Sequence, residues 1–163
     1  MASNAERPVI LPLSNPTSKA EAAPADIMRC TSGRALIGTG SPFPPVEING
    51  RSIRISQTNN SYIFPGLALG ILVARARRVT DSMIMAAAKT LASLSPAASD
   101  SNAPLLPPVG DSRRIGLAVA TSVAKQAIAE GISELEPAAL EQSLLSYVWE
   151  PVYRRYEHAD NPS

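Results

Sequence analysis

Cysteine and histidine are almost absent from this sequence, each occurring once, as Cys30 and His158. A single cysteine cannot close an internal disulfide, and it excludes a paired-cysteine zinc or redox motif. Cys30 therefore reads as a small buried hydrophobe. His158 sits in a polar tail beside Asp160 and Pro162, so a Ser-His-Asp or Cys-His hydrolase would need a distant fold-back of that tail. No two acidic residues are adjacent, and no clustered oxygen site for a divalent metal is assigned. Long apolar runs are missing too: the longest, residues 67–74, includes Gly70 and covers about 12 Å as a helix, far short of a bilayer core. It reads as a buried helix. Neither sign of charge dominates, because 15 basic residues against 14 acidic leave a net charge of +1. The basic residues cluster only at Arg75, Arg77 and Arg78, so neither nucleic acid nor a membrane is indicated as a partner. Those three arginines most simply neutralise the end of a helix, the alternative being a nucleotide-phosphate contact. Residues 1–7 have no basic stretch leading into an apolar one, and no targeting segment is read there.

What remains is a chain of 163 residues, long enough for one domain with a real core and a tail. Residues 8–13 are almost wholly apolar without alternation, as in a strand covered on both faces. The run stops at Ser14-Asn15-Pro16-Thr17, where the proline pushes Asn15 toward extended geometry at the carboxyl end of the strand. Residues 24–31 suit two helical turns closed by Gly33, and residues 35–38 resume as a second buried strand. That order, strand, helix, strand, is the repeat of a parallel α/β sheet. Residues 46–53 alternate around Asn49-Gly50, the strongest short hairpin signal. Gly38-Thr39-Gly40-Ser41-Pro42-Phe43 begins like a dinucleotide loop but lacks its third glycine.

Asn59 and Asn60 stand just before a helix opened by Pro65, whose fixed φ and missing N–H suit a first helical position. Free N–H groups there favour an anion, and two neutral amides could orient a carboxylate or hydroxyl without adding charge. A turn and a helix cap is the competing reading of the pair. The helix is expected over residues 64–77, followed by another over residues 80–94 capped by Thr80 or Asp81. Residues 94–110, with four prolines, read as an extended connector. Asp111 is expected to cap a helix reaching Glu130, with Ile115, Val119, Ser122, Val123 and Ala127 on one side and Gly131 ending it. A last amphipathic helix spans residues 137–149 before the polar tail.

Read in order, several segments resemble the carboxy-terminal part of malic enzyme, the decarboxylating malate dehydrogenase family. They are Ala5-Glu6-Arg7-Pro8-Val9-Ile10 leading into Leu13-Ser14-Asn15-Pro16-Thr17, Gly40-Ser41-Pro42-Phe43, Asn59-Asn60-Ser61-Tyr62-Ile63-Phe64-Pro65-Gly66, Ala76-Arg77-Arg78-Val79-Thr80-Asp81 and Leu106-Pro107-Pro108. The resemblance covers residues 1–131. It implies an α/β fold: the carboxy-terminal half of a Rossmann-like doubly wound parallel sheet, followed by helices. The corresponding division is a partial NAD(P)-binding domain over residues 1–94, a proline-rich connector over 95–110, and helices with a polar tail over 111–163.

The resemblance further implies NAD(P)-dependent oxidation of malate at C2, decarboxylation assisted by a divalent metal (Mg or Mn), and protonation of the enolate to pyruvate. In the family the Asn of the Ser-Asn-Pro-Thr loop reaches substrate and nicotinamide, and an Asn of the pair holds the malate carboxylate. Those roles fall on Asn15, with Ser14 beside it at the cofactor, and on Asn59 or Asn60. The family's tyrosine acid, lysine base, metal carboxylates and dinucleotide glycine loop lie upstream of the segment matched here, and this chain has no substitute for them. Its expected state is therefore a fragment, inactive alone, that joins the missing amino-terminal part in a homo-oligomer of the cytoplasm or mitochondrial matrix, with Met1 an internal methionine. The alternative is a non-catalytic α/β module or truncated gene product packing with another subunit. Ser56, Thr58 and Arg75 replace glycines usual in the family.

Overall fold

The structure, a computed structural model, describes residues 3–100, 102–149 and 152–153. His158 and the start at Met1 lie outside these. A three-stranded parallel sheet, in the order β1-β2-β5, is built from β1 (Val9–Ile10), β2 (Leu36–Thr39) and β5 (Ser56–Gln57). Between β1 and β2 runs α1 (Pro24–Cys30), started by its proline and followed by Gly33, whose N–H reaches back to Met28 O at 2.8 Å. Between β2 and β5 comes the antiparallel hairpin of β3 (Val46–Ile48) and β4 (Arg51–Ile53). Its turn places Asn49 at φ 52° and Gly50 at φ 72°, as a two-residue turn with both centres left-handed requires.

One face of the sheet is covered. Ile37 and Ile55 pack there with Ile27 and Met28 of α1, and Ile48 and Ile53 of the hairpin close the rim. The other face is largely open along β1, where Val9, Leu11 and Leu13 are 46%, 45% and 46% exposed. That corrects the reading of residues 8–13 as a strand covered on both faces. Periodicity reports that a run is apolar, whereas coverage depends on what packs over it.

The four remaining helices are α2 (Phe64–Val73), α3 (Asp81–Ser93), α4 (Ser112–Ala129) and α5 (Leu140–Tyr147). They share a second core around Tyr62, Met83, Ile115, Val119 and Val123. Helix α4 contributes Ile115, Gly116, Val119, Ala120, Val123, Ala124 and Ala127 to it, while Ser122 is only half-buried. Thr80 caps α3 by accepting Met83 N–H. Asp111 precedes α4 without a side-chain cap and pairs instead with Arg114 at 3.2 Å.

Helix α2 ends four residues earlier than residue 77, because Arg75 turns left-handed at φ 47° and Ala76 N–H returns to Ile71 O. It is also half-buried rather than buried: Gly66, Gly70 and Val73 face α4, while Phe64 and Leu72 are each 60% exposed. Arg77 serves a different helix end from the one expected, donating to Gly131 O at 2.9 Å just past α4. Cys30 is exposed, since the buried positions of α1 are Pro24, Ile27 and Met28, and Cys30 falls off that stripe. The connector includes short 3-10 turns at Pro96–Ala98 and Val109–Asp111 and is tied to the sheet by Ser56, whose hydroxyl accepts Leu106 N–H at 2.9 Å. Among the described residues no helix is long and apolar enough to cross a membrane.

Candidate functional site

Parallel pairing brings the carboxyl ends of three strands to one edge of the sheet, the place where such sheets form a ligand crevice. β1 leads into Ser14 and Asn15, β2 into Gly40 and Ser41, and β5 into Thr58, Asn59 and Asn60. The loop after β1 lies directly on the end of β2. Gly40 N–H donates to Pro12 O at 3.0 Å, and a Cβ at position 40 would stand 2.0 Å from Leu13 O. Only glycine admits this approach.

That approach brings Asn15 to Ser41. The Ser41 hydroxyl donates to Asn15 Oδ1 at 2.5 Å, across a loop whose Asn15–Pro16 bond is cis. That contact occupies one lone pair of the Asn15 oxygen and leaves its Nδ2 donors without a partner among the described residues, which suits an acceptor such as a carboxylate or carbonyl. Ser14 faces the other way: its hydroxyl and N–H donate to the Glu21 carboxylate at 2.7 and 3.2 Å. The Ser14 hydroxyl foremost holds the Glu21 carboxyl below the usual carboxylate range.

Asn59 and Asn60 lie beyond β5, with β2 between them and β1. Two strand spacings set the ends of β1 and β5 roughly 10 Å apart. Among the described residues no hydrogen bond joins Asn15 to either amide. The two amides differ. Asn59 Oδ1 accepts Ser61 N–H at 2.9 Å, capping a 3-10 turn over Asn60–Tyr62, while Asn60 is exposed and makes no side-chain hydrogen bond. This turn also separates the pair from α2. Tyr62 N–H and Ile63 N–H return to Asn59 O and Asn60 O, and Pro65 is the second residue of the helix, not the first. Fewer free donors therefore face the amides than a helix opening directly behind them would offer. Thr58 Oγ1 and Ser61 Oγ are buried here without a hydrogen-bond partner.

Ser41 and Glu21 are the contacts that sequence reasoning missed. Ser41 had a signal, its place in the Gly40-Ser41-Pro42-Phe43 match; Glu21 had none. Among the described residues no group of three or more His, Cys, Asp or Glu stands close enough to hold a metal ion. The described residues do not fit a Mg or Mn site.

The fold and this edge define a class: a Rossmann-like α/β parallel sheet with a neutral, amide-rich carboxyl edge. Comparison with known proteins specifies it further. Residues 1–128 match the family profile described as "Malic enzyme, NAD binding domain", and the chain belongs to the malic enzyme family. It is 49% identical over 158 residues to the NAD-dependent malic enzyme of Aliivibrio fischeri (strain MJ11) and 48% identical to that of Acinetobacter baylyi. Each match covers 96% of this chain and 28% of the relative, so the chain spans just over a quarter of their length. The crystal structure of malic enzyme from Pyrococcus horikoshii superposes with a TM-score of 0.63 at 29% identity, covering 85% of this chain and 28% of that one. The Entamoeba histolytica enzyme gives a TM-score of 0.62 at 25% identity, covering 86% of this chain and 27% of that one.

Proposed function

We propose that this chain supplies the carboxyl-edge substrate contacts of a malic enzyme that converts malate to pyruvate and CO2 with NAD. The observation that carries the reading is the Ser41–Asn15 contact, which fixes the open face of Asn15 as a donor at the mouth of a parallel sheet. Asn15 Nδ2 donates to an oxygen of the substrate or of the nicotinamide carboxamide, while Ser14, tied to Glu21, holds the loop on the cofactor side. Asn60, whose amide is uncommitted, holds the malate carboxylate, while Asn59 shapes the turn that presents it. NAD, when bound, accepts the hydride from C2. The names of the relatives favour NAD over NADP.

This division of labour leaves the acid, the base and any metal ligands to the remainder of the enzyme, in a homo-oligomer. Within the chain, residues 1–94 form the nucleotide-binding part, 95–110 the connector and 111–163 the carboxy-terminal part that contributes α4 and α5.

The test is made in a complete malic enzyme carrying this segment. Asn15→Ala and Asn60→Ala each remove a charge-assisted hydrogen bond worth about 1.5 to 3 kcal/mol, so kcat/KM falls on the order of 10- to 100-fold; the melting temperature is held in Asn60→Ala and falls slightly in Asn15→Ala, which also loses the Ser41 contact. Asn59→Ala instead lowers stability by roughly 1 kcal/mol through loss of a cap. Preserved kcat/KM at both Asn15 and Asn60 would sink the assignment.

A further inference from the structure

Ser41 is buried at the carboxyl edge, 5% exposed, and its hydroxyl meets the Asn15 amide at 2.5 Å. Among the described residues Asn15 has no other side-chain hydrogen bond. The separation identifies the amide atom involved. O–H···O bonds run from about 2.5 to 3.0 Å and N–H···O bonds from about 2.7 to 3.2 Å, so Asn15 turns its oxygen to Ser41 and not its nitrogen. A planar amide then sets Nδ2 on the far side of Cγ.

Backbone contacts from both flanking strands hold Ser41 in place. Gly40 N–H donates to Pro12 O at 3.0 Å, and the Gln57 side chain reaches Gly40 O at 3.4 Å, so the ends of β1, β2 and β5 meet at the residue before Ser41. Pro42 follows and disfavours helical backbone at Ser41. A free asparagine amide is a broad two-fold rotor whose donor and acceptor faces exchange by a half turn. The buried hydroxyl removes that freedom before a ligand arrives, so the ordering is completed in folding and does not oppose binding. We propose that Ser41 is the positioning residue for Asn15, touching no ligand itself and setting Nδ2 toward the substrate, an inference that rests on the reading of Asn15 as a substrate contact.

The test compares steady-state kinetics with malate and NAD in a complete malic enzyme carrying this segment. Ser41→Ala should lower kcat/KM about fivefold, the size of one ordinary hydrogen bond. In an Asn15→Ala background the same change should alter kcat/KM by less than about twofold, because the group that Ser41 aims is gone. Ser41→Cys keeps the volume but donates weakly, and should show a smaller loss with the same dependence on background. Asn15→Asp leaves an oxygen for Ser41 and puts a second acceptor where Nδ2 stood, so it should lose more kcat/KM than Asn15→Ala. The reverse order would turn the oxygen toward the substrate and overturn the proposal. So would an equal loss from Ser41→Ala in both backgrounds, which marks a merely structural serine. A loss in Asn15→Ala with kcat/KM unchanged in Ser41→Ala would overturn the role of Ser41 alone, whereas unchanged kcat/KM in Asn15→Ala would sink the reading of Asn15 and this proposal with it.

Discussion

Helices α2 and α4 cross through glycines whose substitutions should act in opposite directions. A Cβ at Gly70 would stand 2.6 Å from Ala120 O and 2.8 Å from Val123 Cβ; at Gly66 it would stand 2.5 Å from Gly116 O and 2.8 Å from Val119 Cβ. Carbon atoms pack favourably at about 3.5 to 4.0 Å, so either alanine must drive the helices apart by roughly 1 Å. The obstructing atoms are backbone and Cβ atoms, which no rotamer change can move. Overpacking of this kind costs about 1 to 3 kcal/mol, and the rigidity of these atoms points to the upper end. The gain in helix propensity returns about 1 kcal/mol, leaving a net loss near 2 kcal/mol. Gly116, on the facing helix, differs: its added Cβ would meet only Gly66 N, at 3.9 Å. Gly116→Ala should then keep the propensity gain of about 1 kcal/mol. For a chain of this size 1 kcal/mol moves Tm by about 2 to 4 °C, so Gly70→Ala should melt roughly 4 to 8 °C lower and Gly116→Ala about 2 to 4 °C higher. Thermal and urea unfolding followed by circular dichroism decide it. Equal effects at the two positions, or a stabilised Gly70→Ala, would refute the close-crossing geometry.

Tyr62 is buried and donates to Pro107 O at 2.6 Å, so Tyr62→Phe should cost about 1 to 1.5 kcal/mol in urea unfolding. Burial, more than any nearby charge, raises its phenol above the usual range, so its stabilisation is present below the unfolded pKa of about 10 and lost as pH rises through the folded value. Alkaline unfolding that the phenylalanine variant shares unchanged would contradict this. Glu21 runs the other way: its lowered carboxyl contributes above the unfolded pKa and stops contributing as pH falls through the folded one. A carboxyl NMR titration should show a low midpoint that Ser14→Ala moves up, and an unmoved midpoint would dismiss the Ser14 contact as its cause. The open face of Val9, Leu11 and Leu13 on an edge strand should make the chain associate when expressed alone, and Leu11→Lys should reduce it. A monodisperse monomer by light scattering would show that this face needs no cover.

Features written in local chemistry were legible. The hairpin follows from Asn49-Gly50, because both residues tolerate the positive φ that the turn demands. The cap of α3 follows from Thr80, and the end of α4 from Gly131 at φ 67°. The end of α2 was hidden, since its left-handed residue is Arg75 and not glycine. What terminates that helix is tertiary: Ala74 O accepts Ser133 Oγ at 2.6 Å and Glu134 N–H at 3.3 Å, while Arg77 N–H reaches Ile132 O at 3.1 Å. No window of sequence around Arg75 contains those partners.

The site divides along the same line. The place of Ser14 and Asn15 in the loop after β1 was legible, although β1 ends at Ile10 and not at Pro16, but the orientation of the Asn15 amide depends on the register of β1 on β2 and on Gly40 allowing the two loops to touch. Orientation decides what such an edge can do. Ser14, Asn15, Ser41, Thr58, Asn59, Asn60 and Ser61 are all uncharged near pH 7, so a ligand held by them would exchange no proton with them. Among the described residues the carboxylate tied to this edge, Glu21, is held below its ordinary range and is a weaker base for it. An Asn15 oriented by Ser41 keeps both Nδ2 donors for a ligand, which on the proposed reading favours an oxygen-rich, anionic substrate over an amine. On the proposed reading this edge holds the substrate, and the proton and metal chemistry of the proposed reaction must be supplied by side chains of another kind.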